Sequence, residues 1–456
     1  MFVSCTRSMK RSYEVLKHLS WRYALTALGS WVFAPELRRL VDYRSHFTAL
    51  SILSILPLLM LLPFGWWLLR EGWRASDKRV QAFAGIWFAS FLYGLFIAVA
   101  HGAKAAGLFG VAEFCLPVAM AMWFATRPEG VERAYERVAY FMLACAAVSS
   151  AYGIIQYISP PPWDVQWQLN TDASSFGEPL PFQIRVYSTL NSPGTFGSFL
   201  ALVMIMVLPL LRARKTWVTI SLVLCVAALA LSLVRSAWLA LVLGIVVYAL
   251  LTPLRVRLLA TLAGFSILVV CAGMLAFALM PNDDARETLS DRFSTLFDLQ
   301  DDGSAADRRQ STEVAVEDGM ANPFGAGVGT TGVGARLMTN SGDISGGAAI
   351  DNGFASRLVE MGYPGLAGFL VVTLGSLLFS FSAWRRATAQ KKSGPGELLA
   401  AATAVQIALL GMEASGDTYQ GLSGVFFWTT VALVSTLATQ ASRARRVSVR
   451  LKNVTA

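Results

Sequence analysis

The sequence predicts an all-α integral membrane protein of about twelve transmembrane helices, with a large extracytoplasmic loop carrying short helices between spans 9 and 10. Three observations predict it. Of the 456 residues, 55% are hydrophobic and only 15% charged, and the mean hydropathy of +0.52 is far above that of a soluble domain. Apolar stretches of about 18 to 25 residues, long enough to cross roughly 30 Å of hydrocarbon as helices, recur from end to end without the short alternation of a barrel. Lys and Arg gather in every second connection.

In order, the spans fall near 22–34, 47–69, 80–100, 105–126, 136–158, 190–211, 216–234, 236–252, 257–280, 364–384, 397–414 and 421–441. The basic clusters at 7–22, 70–79, 127–137, 212–215, 255–257, 385–392 and 443–452 then share one side, which the positive-inside rule makes cytoplasmic together with both termini. Lys104 is the one lysine of eight off that side. The net charge of +9 is therefore a topology signal, and nothing points to nucleic acid. No small-residue cleavage pattern follows the basic N-terminal stretch, so the first span is expected to serve as its own anchor.

That first span is short, and the connector Pro35–Ser45, with Arg38, Arg39 and Arg44, breaks the charge rule. Either the first span is a half-helix or those arginines have a task on the outer side. Three regions follow: 1–280 with nine spans and an outer loop at 159–188, the loop 281–352, and 353–456 with an edge helix and the last three spans. The five cysteines are scattered, none in the large loop, and support neither a disulfide framework nor a zinc site.

The outer face holds the residues able to do chemistry. Arg185 and Tyr187 stand where a loop turns into the sixth span, and Arg235 lies between two apolar spans among small residues. An arginine in an apolar span costs roughly 2 to 3 kcal/mol near the centre, so it finds an anionic partner or a polar cavity, or snorkels to the edge. Its planar fork binds phosphate oxygens in pairs. The loop 281–352 contains thirteen Asp and Glu, five Arg and no Lys.

Within the loop, residues 307–320 have few breakers and read as a short helix with Arg308 on its first turn and Arg309 beside it. The glycines after Pro323 read as a tight, outward-facing turn. Asp351-Asn352 precedes a short helix over 353–361, broken by Gly362 and Pro364. Asp351 is a helix cap or a general base; Glu360 is the i,i+3 partner of Arg357. The run Gly327-Val-Gly-Thr-Thr-Gly332 matches a dinucleotide fingerprint in letters only, since no βαβ unit surrounds it. No Walker, HExxH or GxSxG pattern appears, and His18, His46 and His101 lie outside these segments.

Together the stretch Arg185–Phe196, the hairpin Arg235-Ser-Ala-Trp238, and the run from Arg308 across Asn322-Pro323-Phe-Gly325 to Asp351-Asn352 and Glu360-Met-Gly362 resemble the O-antigen ligase and O-antigen polymerase superfamily of bacterial envelope glycosyltransferases. The resemblance covers roughly residues 185–370. It implies an inner-membrane enzyme with its active site facing the periplasm, acting on glycans linked through diphosphate to undecaprenol, without cofactor, metal or nucleotide sugar. Its partners would be the lipid-linked glycan donor, a glycan acceptor, membrane lipids and a chain-length regulator.

Carried over, Arg185, Arg235 and Arg308, with Arg309 as alternate, would hold the diphosphate, and Asp351 would act on the acceptor hydroxyl. Asn352, Arg357, Glu360 and Tyr187 would support them. Ligases of the family typically place a histidine before the asparagine, where this chain has Asp351. That departure favours a polymerase of exopolysaccharide or O-antigen type over a ligase that moves polymer to lipid A-core.

Two other classes fit parts of the pattern. A flippase or transporter of lipid-linked glycan would also use many spans and a basic cavity, but such proteins show repeated halves with interrupted helices. A scaffold for envelope assembly would explain the polar loop but not arginines brought to one face from three chain positions.

Overall fold

The computed structural model describes residues 19–47, 51–127, 129–171, 176–252, 303–332, 350–389 and 393–455. The predicted ninth span, 257–280, lies outside them. The helices are α1 (Trp21–Arg44), α2 (Ile52–Trp67, prolonged by a π-helical turn, Leu68–Gly72), α3 (Lys78–Ala100), α4 (Lys104–Ala125), α5 (Val131–Ile158) and α6 (Pro162–Asn170). They continue with α7 (Pro193–Met206), α8 (Thr216–Ser232), α9 (Arg235–Leu251), α10 (Gly303–Ala321), α11 (Gly353–Ala389), α12 (Ser393–Glu413) and α13 (Gly421–Thr455).

Local chemistry sets the boundaries. The Ser20, Asp77 and Ser192 side chains accept amide hydrogen bonds at the starts of α1, α3 and α7, satisfying donors that a helix start leaves without partners. Leu233, at φ 55°, stops α8 and turns the chain into α9 within two residues. Gly362, at φ 57°, breaks α11 where the sequence predicts.

By length and composition, seven helices among the described residues are able to cross a membrane: α2 with its extension, α3, α4, α5, α11, α12 and α13. Helices α7, α8 and α9 are apolar but shorter. Eleven of the twelve expected spans coincide in position with helices among the described residues. Seven of these are long and apolar enough to cross, α7, α8 and α9 are shorter, and α1 is long but not among the seven. Leu69, Phe96, Leu239 and Leu378 are each more than two-thirds exposed, an outward apolar surface suited to hydrocarbon.

The first span needs correction. It does not end near residue 34: α1 runs through Pro35 to Arg44, so 35–44 is helix and not a connector. Four of its charges are paired in place. Arg38 pairs with Asp42 one turn on, and Arg39, wholly buried, pairs with Glu36 and with Asp164 of α6 at 2.8 Å.

The two ends of the bundle are set by pairings between distant helices. At the end where α1 starts, Trp21 donates to Glu129, Trp384 Nε1 donates to Leu251 O at 2.8 Å, and Arg212 pairs with Glu397. At the opposite end, here the loop end, Val186 N donates to Leu231 O at 3.2 Å and Val328 N to Gly94 O at 3.1 Å. Between them Trp87 is fully buried, its indole donating to Phe114 O at 2.9 Å, with the rings of Phe369, Phe427 and Trp428 around it. This cluster locks α3, α4, α11 and α13 together beneath the loop end. Gly197 lets α7 approach α9: a Cβ there would stand 3.1 Å from Cβ of Ala237 and of Val234.

Candidate active site

Arg185 and the Arg235 turn are brought together by the loop that follows α6. Gly177 and Ile184 form an antiparallel bridge, and Arg185 N donates to Phe176 O at 2.7 Å, which closes the loop on itself. Arg185, half-buried, then sends Nη2 to Leu233 O at 3.3 Å, two residues before Arg235 opens α9. The left-handed backbone at Leu233 presents that carbonyl and places Arg235 on the first turn of the next helix.

A polar network fixes this loop from beneath. Gln156 Oε1 accepts from the amides of Tyr187 (3.2 Å) and Ser188 (2.9 Å), while its Nε2 donates to Asp164 at 2.6 Å. Arg39 donates to the carbonyls of Ser188 and Leu190, and its guanidinium lies over the rings of Tyr187 (5.0 Å) and Trp167 (5.4 Å). Burial pushes the Asp164 carboxyl up to about 6, against the opposing pull of Arg39. Burial also raises the Tyr187 phenol, helped by the Asp164 charge. Arg39 therefore holds the 185–190 backbone at the loop end, and Tyr187 supports that brace.

The arginines of the large loop stand on α10. This helix begins at Gly303, so Arg308 falls in its second turn and not its first; the Arg308 side chain lies outside the described residues. Arg309 is exposed and pairs with Glu313 at 3.0 Å. Further along, Gly319 packs α10 on α11, where a Cβ would come within 2.6 Å of Leu358 Cγ.

The glycine-rich turn faces inward, contrary to expectation. Gly325, Gly327 and Gly329 all take positive φ and are buried between α3, α4 and α11. Ala326 N donates to Val359 O at 2.8 Å, Gly327 N to Glu360 O at 2.8 Å, and Tyr93 OH to Phe324 O at 2.9 Å. The amides of Gly329 and Thr331, arranged like an anion nest, are taken by the chain's own Glu360 carboxylate at 3.0 and 3.2 Å. The turn is a packing joint with an internal anion.

Substitution there has a clear expected result. At Gly327, φ 112°, a Cβ would lie 2.4 Å from Ala98 Cα, whereas at Gly332, φ 62°, nothing stands within 4 Å. Gly327→Ala should lower stability by more than about 1 kcal/mol beyond Gly332→Ala, since only the first adds a backbone clash, and its φ lies outside the left-handed well that alanine can enter. Thermal unfolding of the two purified variants in detergent checks this; equal midpoints would contradict the packing.

At the head of α11 the cap is Asn352 and not Asp351. Asn352 Oδ1 accepts from Phe354 N (3.0 Å) and Ala355 N (3.2 Å), leaving Asp351 exposed one residue earlier. Arg357 donates to Glu360, the pair that i,i+3 spacing predicts, and also to Asp417, and lies 4.4 Å from the Phe114 ring centroid. Burial pushes Asp417 up to about 6 while Arg357 pulls it down.

Glu36, Gln156, Asp164, Thr331, Glu413 and Asp417 escaped the sequence reading. Glu113, inside α4, and Glu413, at the end of α12, are lone carboxylates in apolar runs. That signal alone marks ionisable groups with a task.

These features define a multi-pass helical membrane protein that gathers ionic and backbone hydrogen-bonding groups at the loop end of its bundle. Residues 220–370 match the family model described as O-Antigen ligase, so this third of the chain is similar to that family. The matched stretch opens inside α8, takes in Arg235, Arg308, Arg309, the glycine-rich turn and Asp351 through Glu360, and closes in α11. Arg185 and Tyr187 precede it. No curated protein matches the chain in sequence.

Proposed function

We propose that this protein is an inner-membrane glycosyltransferase that polymerises oligosaccharide repeat units carried on undecaprenyl diphosphate, working on the periplasmic side with both termini in the cytoplasm. The observation that carries the reading is Arg185 docked on the turn that presents Arg235, within and beside the O-antigen ligase match. Two guanidinium groups at one helix start suit a diphosphate, which they bind by paired donation.

In the reaction an acceptor hydroxyl forms a bond to the anomeric carbon as that carbon's bond to the diphosphate oxygen breaks. The electron pair leaves on the lipid diphosphate, where Arg185, Arg235 and Arg308 of α10 offset the growing negative charge. The hydroxyl proton passes to Asp351, exposed beside the capped start of α11. Asp351, in the position where ligases of the family carry histidine, supports polymerase over ligase.

Chemical analysis of surface glycans in a strain lacking the protein tests the reading. Lipid A-core capped with one repeat unit, or loss of a secreted glycan, is the expected result for a polymerase. Finished polymer accumulating on undecaprenyl diphosphate would replace polymerase by ligase, and unchanged glycans would overturn both.

A further inference from the structure

One ionic network at the loop end is not among the groups proposed to hold the diphosphate directly. Arg357 and Glu360 are both buried near the start of α11. Arg357 ties Glu360 to Asp417 in the turn between α12 and α13. Glu360 Oε1 accepts from Gly329 N, Thr331 N and Thr331 Oγ1 (2.7 Å), and Thr331 Oγ1 also lies 2.8 Å from Ser356 Oγ. Glu413 lies beneath Gly353: a Cβ on that glycine would meet its carboxylate at 2.2 Å, and Thr418 holds the other oxygen through its amide and hydroxyl, both at 2.8 Å.

We propose that Glu360 is a positioning residue for the acceptor side of the site, fixing the glycine-rich turn against the head of α11 so that Asp351 meets the acceptor hydroxyl in one geometry. The inference rests on the functional reading above. Glu360 serves two sets of donors at once: one oxygen takes two amides and a hydroxyl, and the other takes Arg357. A glutamine has one acceptor oxygen, so its amide group must face either the turn or the guanidinium, leaving donors around the buried Glu360 position without a partner.

The consequence is chemical. Water attacks the same anomeric carbon by the same exchange of bonds, forming a C–O bond while the diphosphate leaves and a proton is released. It yields free glycan in place of polymer. A well-placed acceptor hydroxyl outcompetes water, and a displaced one does not. The ratio of hydrolysis to transfer does not depend on how much protein is folded, so it separates positioning from simple loss of structure.

The experiment uses the full chain, purified in detergent and supplied with the lipid-linked repeat unit extracted from cells that lack the protein. For Glu360→Gln the ratio of hydrolysis to transfer should rise about fivefold or more, because small misplacements of a reacting group are costly. Thr331→Val, which removes one hydroxyl and no charge, should give a smaller rise, and it decides the matter if Glu360→Gln does not accumulate. Arg235→Ala should depress both reactions together and leave the ratio near that of the parent. A parental ratio in the folded Glu360 and Thr331 variants would overturn the inference and leave the functional reading standing. A parent chain that consumes no donor would overturn both.

Discussion

Arg235→Ala should abolish polymer in cells while the protein still reaches the membrane. In purified form the loss in kcat/KM should be about a hundredfold or more, the scale on which removing one donor to a developing negative charge acts. Arg308→Ala should behave alike, and Arg235→Lys should also fail, because an ammonium cannot reproduce two parallel hydrogen bonds to one phosphate. The expectation follows from placement: Arg235 is the first residue of α9, and Arg185 reaches the carbonyl two residues before it. Parental polymer with either alanine variant, at equal protein in the membrane fraction, would remove that residue from the mechanism.

Arg39→Ala should be the most damaging change to the fold among the residues considered. It strips the partner from Glu36 and Asp164 and leaves the Ser188 and Leu190 carbonyls without their donor in a buried setting. Removing one member of a buried ion pair costs about 3 to 5 kcal/mol, a large share of a typical stability. Asp164→Asn, which keeps a polar group of the same shape, should cost less. Thermal unfolding in detergent checks the order. Equal midpoints for Arg39→Ala and parent would mean that the loop at 185–190 holds its shape without α1.

The bundle was legible because crossing a membrane requires long apolar stretches, a property of each segment taken alone. The C-terminal half of α1 was not. Pro35 and five charged residues between Glu36 and Arg44 look locally like a connector, and what keeps them helical is a set of partners on α6 and in the loop up to Leu190. The glycines of the 325–332 segment announced a tight turn, but its direction depends on Ala98 and Ala106, far away in sequence.

The same division applies to the site. Arg185 and Arg235 stood out because a guanidinium in an apolar setting is conspicuous. The left-handed Leu233 that lets them share a turn is an apolar residue and gave no hint. Asp351 and Asn352 were found as a pair, yet which of them caps α11 was settled only by the hydrogen bonds of Asn352. Glu113 of α4 and Glu413 of α12, carboxylates standing in apolar runs, carry a signal of the same kind.

The Arg39 brace also constrains how the chain is assembled. Arg39 and Leu190 are 151 positions apart. At a synthesis rate of about 5 to 20 residues per second, the arginine therefore waits on the order of ten to thirty seconds after leaving the ribosome before its last acceptor exists. Glu36, three residues earlier on the same helix, is made beforehand and is available throughout that interval. The helix thus carries an interim counter-ion of its own, which is later shared when α6 and the following loop arrive.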